Sequence, residues 1–396
     1  MNYITVQEAE KIIENEIFRT KSVEKPLLEA LQDYAATPVY APIDVPPFDN
    51  SAMDGYAFAY GDYADKKEIK IRYAIQAGDT RLPVLQSGEA ARIFTGAMIP
   101  EGADTVVMQE QTSEENEILC IEEHAFGIGR NIRPKGSQSK KGDLILTENT
   151  LINSGTIGML AGFGINKINV FSSPKTGIIV TGNELVEAGE PLKDGQIYES
   201  NAVTLQAALR ELHIETQPPL RVRDDKELTF QSIKENLEKV DVLLITGGIS
   251  VGEYDFVKES LEKSGVEMLF YKVRQKPGKP LFFGKKNNHY VFALPGNPAS
   301  VLVCFYRYVQ PFLKGLKGNP NPFGNRIITS LSNDFNKKDN LTHLLKGELQ
   351  PDGTVIVLPN RESYKMDAFV RANCLVEISG EKQTVVNGEK VVVWKI

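Results

Sequence analysis

Four polar segments, each directly after an apolar run, hold most of the residues in this chain that could do chemistry. They read Thr181-Gly-Asn-Glu-Leu185, Arg221-Val-Arg-Asp-Asp225, Thr246-Gly-Gly-Ile-Ser-Val-Gly-Glu-Tyr-Asp255 and Leu294-Pro-Gly-Asn-Pro-Ala-Ser300. Gly247 and Gly248 leave backbone N–H groups open to a phosphate, and the N-terminus of a following helix adds to the attraction. Glu184, Asp224 and Asp255 offer the hard oxygen ligands that Mg²⁺ prefers, often while it bridges phosphates. A second reading stays open for these acids. Asp224, Asp225 and Asp255 precede helical patterns and suit N-caps, and Glu184 suits a solvated loop.

Cations come from two Pro/Gly-fixed loops. Lys276 and Lys279 are rigidly spaced by Pro277 and Gly278, which makes them good point charges for a phosphate or another oxyanion. Arg130-Asn-Ile-Arg-Pro-Lys-Gly136, with Lys140 and Lys141, forms the other loop, and a solvated basic surface accounts for the last two. Thr95, in Thr95-Gly-Ala97, can give a hydroxyl to an anion or simply start a turn. Gly248-Ile-Ser-Val-Gly252 also fits the nucleophile elbow of hydrolases. That reading needs a later histidine, and neither His289 nor His343 is well placed after a sheet strand.

The elements that must position these groups follow from periodicity. From residue 175 onward apolar strand runs alternate with helical patterns, and 241–246 is the strongest central-strand signal. This predicts an α/β domain with a mostly parallel sheet, which binds ligands at the carboxyl ends of its strands. A hairpin is expected around Asn287-Asn288 and a long helix over 299–316. Thr5-Val-Gln-Glu8 is a capping box opening an amphipathic helix, and Leu27, Leu28 and Leu31 suggest a second. Short β-type runs at 68–77, 91–94 and 105–109 predict an inserted β-rich domain. Short strand-like runs after 318 predict a C-terminal β domain, partly barrel-like. The expected division is 1–43 with 143–172, 44–142, 173–318 and 319–396.

Bulk composition narrows the class. With 396 residues, 41% hydrophobic and 24% charged, the chain reads as a multidomain globular protein. Its net charge of −7 argues against a nucleic-acid binder. Three scattered cysteines and four scattered histidines suggest neither a disulfide framework nor a zinc site, and fit a reducing compartment. No apolar run approaches the ~20 residues that span a bilayer, so a cytoplasmic location is expected.

One stretch carries more information than any local rule extracts. Val45-Pro-Pro-Phe-Asp-Asn-Ser-Ala-Met-Asp-Gly-Tyr-Ala57 closely resembles the signature of the MoeA/gephyrin E-domain family, the molybdenum insertases. FTGAMIPEGADTVVMQE, TGNEL, GQIYESN, GGISVGEYDF, KPGKP and LPGNPAS follow in the family's order. The resemblance implies four domains: a helical linker domain, an inserted β domain, a molybdopterin-binding α/β domain and a C-terminal β domain. It also implies an elongated homodimer with a cleft shared between subunits. The implied reaction joins molybdate to adenylylated molybdopterin with Mg²⁺, giving molybdenum cofactor and AMP. Carried over by motif, Glu184, Asp224 and Asp255 would serve the metal, and Lys276 and Lys279 would bind molybdate or phosphate. Asp54 and Thr95 would complete the cleft from the partner subunit, and Ser363 would join the catalytic set. Thr181, Gly182, Gly247, Gly248, Ser250, Pro295, Gly296, Asn297 and Pro298 would bind the cofactor. Protein partners implied are the delivering adenylyltransferase and the receiving apo-molybdoenzymes.

Two departures from the family pattern stand out. Gly-Glu-Asp is expected after the arginines of the basic loop, but Gly136-Ser-Gln138 stands there. Bulky Tyr364 and Lys365 follow Ser363 where small residues are expected. Competing readings are therefore a non-catalytic molybdopterin-binding scaffold or carrier, as gephyrin's scaffold role suggests, and an insertase that prefers tungstate.

Overall fold

The computed structural model describes residues 3–122, 127–249 and 256–396. Ser250, Asp255 and His124 lie outside them. Period-two burial builds the central layer: Ile178, Val180, Val242, Leu244, Phe292 and Leu294 face one core. Their neighbours Ile179, Leu243, Ile245, Val291 and Ala293 face the other. A strand buried on both faces needs apolar residues at every position, which is why these runs are continuous.

Among the described residues this sheet has six strands. They are β1 Thr176–Thr181, β2 Leu220–Val222, β3 Val242–Thr246, β4 Glu267–Tyr271, β5 Phe282–Lys286 and β6 His289–Leu294. Their order is β2-β1-β3-β6-β5-β4. β1 pairs in parallel with β2 and β3, and β3 with β6. β5 runs against both β4 and β6. The mostly parallel sheet and the hairpin expected from the sequence are both present.

Helices cover the two faces. α1 Asn201–Glu211 and α4 Pro298–Cys304 lie on one. α2 Lys226–Leu237 and α3 Phe256–Lys263 lie on the other. α4 runs through a π turn at Phe305–Val309 into α5 Gln310–Leu316. The chain leaves β1 toward one face and β3 toward the other, although these strands are neighbours. A crevice opens where connections diverge in this way.

Three further parts complete the chain. The capping box expected at Thr5 and Glu8 is formed and starts the helix Val6–Asn15. Val6, Ala9 and Ile13 of this helix enter the core of the α/β domain. Beyond it, Ser22–Pro26 pairs with Lys167–Phe171, and Val39–Tyr40 with Leu144–Leu146. The second helix suggested by Leu27, Leu28 and Leu31 is only one 3-10 turn, Leu27–Ala30. Three leucines at helical spacing do not overcome the cost of starting a helix, and Leu28 stays exposed. Residues 50–121 hold a six-stranded sheet with Gly55–Phe58 between Glu89–Ile93 and Thr105–Met108.

The C-terminal layer is a β sheet of Thr342–Leu349, Cys374–Ile378, Lys390–Lys395 and Arg326–Ser330. Leu345, Val376 and Val393 form part of its core. Its edge is completed from outside. Gln275–Lys276, in the loop between β4 and β5, pairs in parallel with Thr342–Leu349. No helix among the described residues is long and apolar enough to cross a membrane.

Candidate functional site

Strand register brings the polar segments to one edge. Thr181 sits opposite Val222, Val180 opposite Thr246, and Thr246 opposite Leu294. β1, β2, β3 and β6 therefore end level, and the loops that follow them open together. Tyr271 pairs with Phe282, and Phe282 with Ala293, so the β4–β5 loop carrying both lysines emerges at the same edge. These loops and the segment around Ser363 line one cleft of ≈ 1250 Å³.

Most of the expected site residues meet here. Thr181, Gly182, Glu184, Asp224, Gly247, Gly248, Lys276, Lys279 and Ser363 line the cleft, as do Pro295, Gly296, Asn297 and Pro298. Ser250 and Asp255 are not among the described residues. Asp54 and Thr95 lie elsewhere. The pairing of Gly55 with Ile93 brings the residues flanking those strands together. Thr95 N and Oγ1 both donate to Asp54 Oδ1 at 2.7 Å. Those bonds, with Arg92 nearby, hold the Asp54 carboxyl below its ordinary range. Neither residue lines this chain's cleft.

The competition between capping and ligation is decided locally at one pair. Asp225 caps α2, its Oδ1 accepting from Glu227 N at 3.0 Å and Leu228 N at 2.8 Å. Asp224 faces the cleft instead and is braced by Asn183. Asn183 N donates to Asp224 Oδ2 at 3.2 Å, and Asp224 N donates to Asn183 Oδ1 at 3.1 Å. Glu184 sits on the same wall. No group of three or more metal-ligating side chains forms among the described residues. The donor set that is described, two carboxylates, is the hard-oxygen type that suits Mg²⁺.

Backbone and hydroxyl groups finish this wall. Gly247 has φ +85°, and a Cβ there would lie 2.6 Å from the Thr181 carbonyl oxygen. Only glycine allows the chain to pass so close at this angle. Thr181 Oγ1, Thr246 Oγ1 and Asn201 Oδ1 are buried beside the cleft with no partner among the described residues. Buried polar atoms are normally satisfied, so orphans grouped at one edge mark a place built for added polar partners.

The lysine loop is held by a buried relay. Gln275 is fully buried, and its Nε2 donates to Gly278 O at 3.0 Å. Tyr308 Oη donates to Gln275 Oε1. Burial pushes the Tyr308 phenol well above its ordinary pKa, which keeps it a donor. Lys276 then extends to the C-terminal layer, and Lys279 Nζ rests 4.7 Å from the centre of the Tyr3 ring.

Ser363 reaches the cleft through α4. Its carbonyl accepts from Ala299 N at 3.1 Å and Ser300 N at 3.3 Å, and its Oγ accepts from Asn297 Nδ2 at 2.9 Å. Of the two departures after Ser363, Tyr364 lines the cleft. Lys365 turns its ammonium to Glu362 at 3.2 Å.

Several lining residues escaped the sequence reading: Glu199, Asn201, Gln275, Asp339 and Arg361. The first two lie in the quoted motif GQIYESN, and Gln275 directly precedes KPGKP. A closer use of those motifs would have found them. Asp339 carries no local signal, because a pairing between distant segments brings it here.

Comparison with known proteins agrees along the chain. Residues 4–164 match the MoeA N-terminal region (domain I and II), 177–315 a probable molybdopterin binding domain, and 329–396 the MoeA C-terminal region (domain IV). A molybdopterin molybdenumtransferase of Haemophilus influenzae is 35% identical, over 98% of this chain and 97% of its own length. One from Staphylococcus aureus is 33% identical, over 96% and 92%. The crystal structure of a molybdopterin biosynthesis MoeA protein from Pyrococcus horikoshii superposes with a TM-score of 0.84 at 30% identity, covering 100% of this chain and 99% of that one. With family regions matched from end to end and relatives similar over nearly their whole length, the chain belongs to the MoeA family.

Proposed function

We propose that this chain is a molybdopterin molybdenumtransferase, a transferase of molybdenum cofactor biosynthesis. In its finer form the reading is that molybdate and adenylylated molybdopterin react in the cleft, releasing AMP and molybdenum cofactor in the last step of the pathway. One observation carries it most: a single ≈ 1250 Å³ cleft combines backbone N–H groups suited to phosphate, the carboxylates of Glu184 and Asp224, and two lysines on a fixed loop.

The division of labour follows from the chemistry of the walls. Gly247 and Gly248 present backbone N–H groups to the pyrophosphate, and the buried hydroxyls of Thr181 and Thr246 add polar partners. Lys276 and Lys279 balance the charge of molybdate, a dianion that binds poorly without fixed cations. Asn297 and Ser363, linked to each other, fix the wall near α4. Glu184 and Asp224 would hold Mg²⁺, whose charge would offset that of the phosphates. In a homodimer, Asp54 and Thr95 would reach the cleft from the partner subunit.

The purified full chain is tested with adenylylated molybdopterin, molybdate and Mg²⁺, following AMP release and reconstitution of an apo-molybdoenzyme. The expected result is both products together, each dependent on molybdate and Mg²⁺. Tight pterin binding without AMP would replace this reading with that of a carrier or scaffold, for which Ser137 and Gln138 in place of the family's acids are the motivating observation.

A further inference from the structure

Lys276 meets another charge before any substrate arrives. Its Nζ lies 3.6 Å from Asp339 Oδ2, and both residues line the cleft. The two partners are held very differently. Asp339 Oδ1 accepts from Leu341 N at 3.2 Å and lies 2.8 Å from His343 Nε2. Its main-chain carbonyl accepts from Lys337 Nζ at 3.0 Å and Gln383 Nε2 at 3.3 Å. Burial works against the Asp339 charge, but the bonds from His343 and Leu341 outweigh it and hold the carboxyl below its ordinary range. The Lys276 side chain is 62% exposed, with its backbone fixed opposite His343 by strand pairing. The carboxylate is therefore the anchored member, and the ammonium is free to swing.

We propose that Asp339 sets the affinity of the oxyanion subsite, as an internal counter-ion that competes with a tetrahedral dianion for Lys276. The inference rests on the reading that Lys276 binds the oxyanion. A dianion entering the subsite must draw the ammonium away from Asp339, and it also meets the repulsion of a carboxylate that cannot retreat. Asp339 thus weakens binding of every tetrahedral dianion alike, so an oxyanion is held firmly only when the rest of the cleft adds contacts. Through Asp339 the C-terminal layer adds a fixed negative charge to the cleft of the α/β domain.

Molybdate alone, without pterin, is titrated into the full chain by calorimetry at constant ionic strength. Asp339→Asn is expected to tighten binding by roughly two- to fivefold, the range that removal of one partly exposed ion pair supports. Asp339→Glu, which keeps the charge, should return affinity toward that of the parent chain. In a Lys276→Met background Asp339→Asn should have less effect than in the parent, because the cycle isolates the coupling between the two residues. Unchanged or weaker binding in Asp339→Asn, with Lys276→Met still weakened, overturns the counter-ion. Binding unaffected by Lys276→Met overturns both the counter-ion and the oxyanion role of Lys276. Neither result depends on AMP release, so failure of the transferase reading is seen separately.

Discussion

At the scale of single residues, the site depends on a side chain that does not line it. Tyr308 is fully buried, yet it orients the carboxamide of Gln275, and that carboxamide holds the carbonyl of Gly278 between the two lysines. Replacing Tyr308 by Phe removes one oxygen and leaves the buried Gln275 Oε1 without its donor. An acceptor stranded in this way costs about 1–3 kcal/mol. Tyr308→Phe should lose stability of that order in urea unfolding, and molybdate should bind more weakly because the loop is no longer held. A variant that loses stability but binds molybdate as before would show that the relay supports the core alone. Asp224 and Asp225 show how far sequence reading goes at this scale. Both precede a helix, so capping chemistry fits either, and only the direction of each side chain decides. The cap is Asp225, and the cleft receives Asp224.

At the scale of elements, legibility follows the range of the interactions. Residues 241–246 are readable as a central strand because 242–245 form an unbroken apolar run, and β3 is buried along its length. The capping box at Thr5 was readable because both partners lie within one turn. The strand Gln275–Lys276 was not readable, since two residues carry no periodicity and their partner lies about seventy positions on. That short pairing fixes where Lys276 stands and brings Asp339 beside it, so the sequence named the lysine without its neighbour. The same loop predicts its own weak point. Gly278 has φ +80°, and a Cβ there would collide with Cys304 Sγ and come within 2.9 Å of Gln275 Nε2. Gly278→Ala should be destabilised by ~1–2 kcal/mol from the left-handed backbone alone, with the collision in addition. Molybdate binding should fall with it. Adding Cys304→Ala should recover part of the loss, since it removes the sulfur but leaves the backbone angle. No recovery in the double variant would assign the whole effect to the backbone.

At the scale of the whole molecule, the question is where Asp54 and Thr95 act. They form a tight pair in the inserted sheet, with Asp54 held ionised by two bonds from Thr95, yet the cleft of their own chain is lined without them. A carboxylate charged and oriented in this way suits a site, and a symmetric dimer would let the inserted sheet of one subunit face the cleft of the other. This arrangement makes a quantitative prediction. Asp54→Asn and Lys276→Met variants should each be strongly impaired in AMP release when assayed alone. When the two are denatured together and refolded, half of the dimers should be mixed. Each mixed dimer would have one cleft carrying both substitutions and one carrying neither. Activity should then return to roughly a quarter of the parent value. If Asp54 acts within its own chain, every cleft carries one substitution and nothing returns. A mixture that stays inactive although mixed dimers are present would thus remove Asp54 from the partner's cleft. Recovery near a quarter would mean that the catalytic unit is the dimer, with Asp54 and Lys276 of one site supplied by different chains.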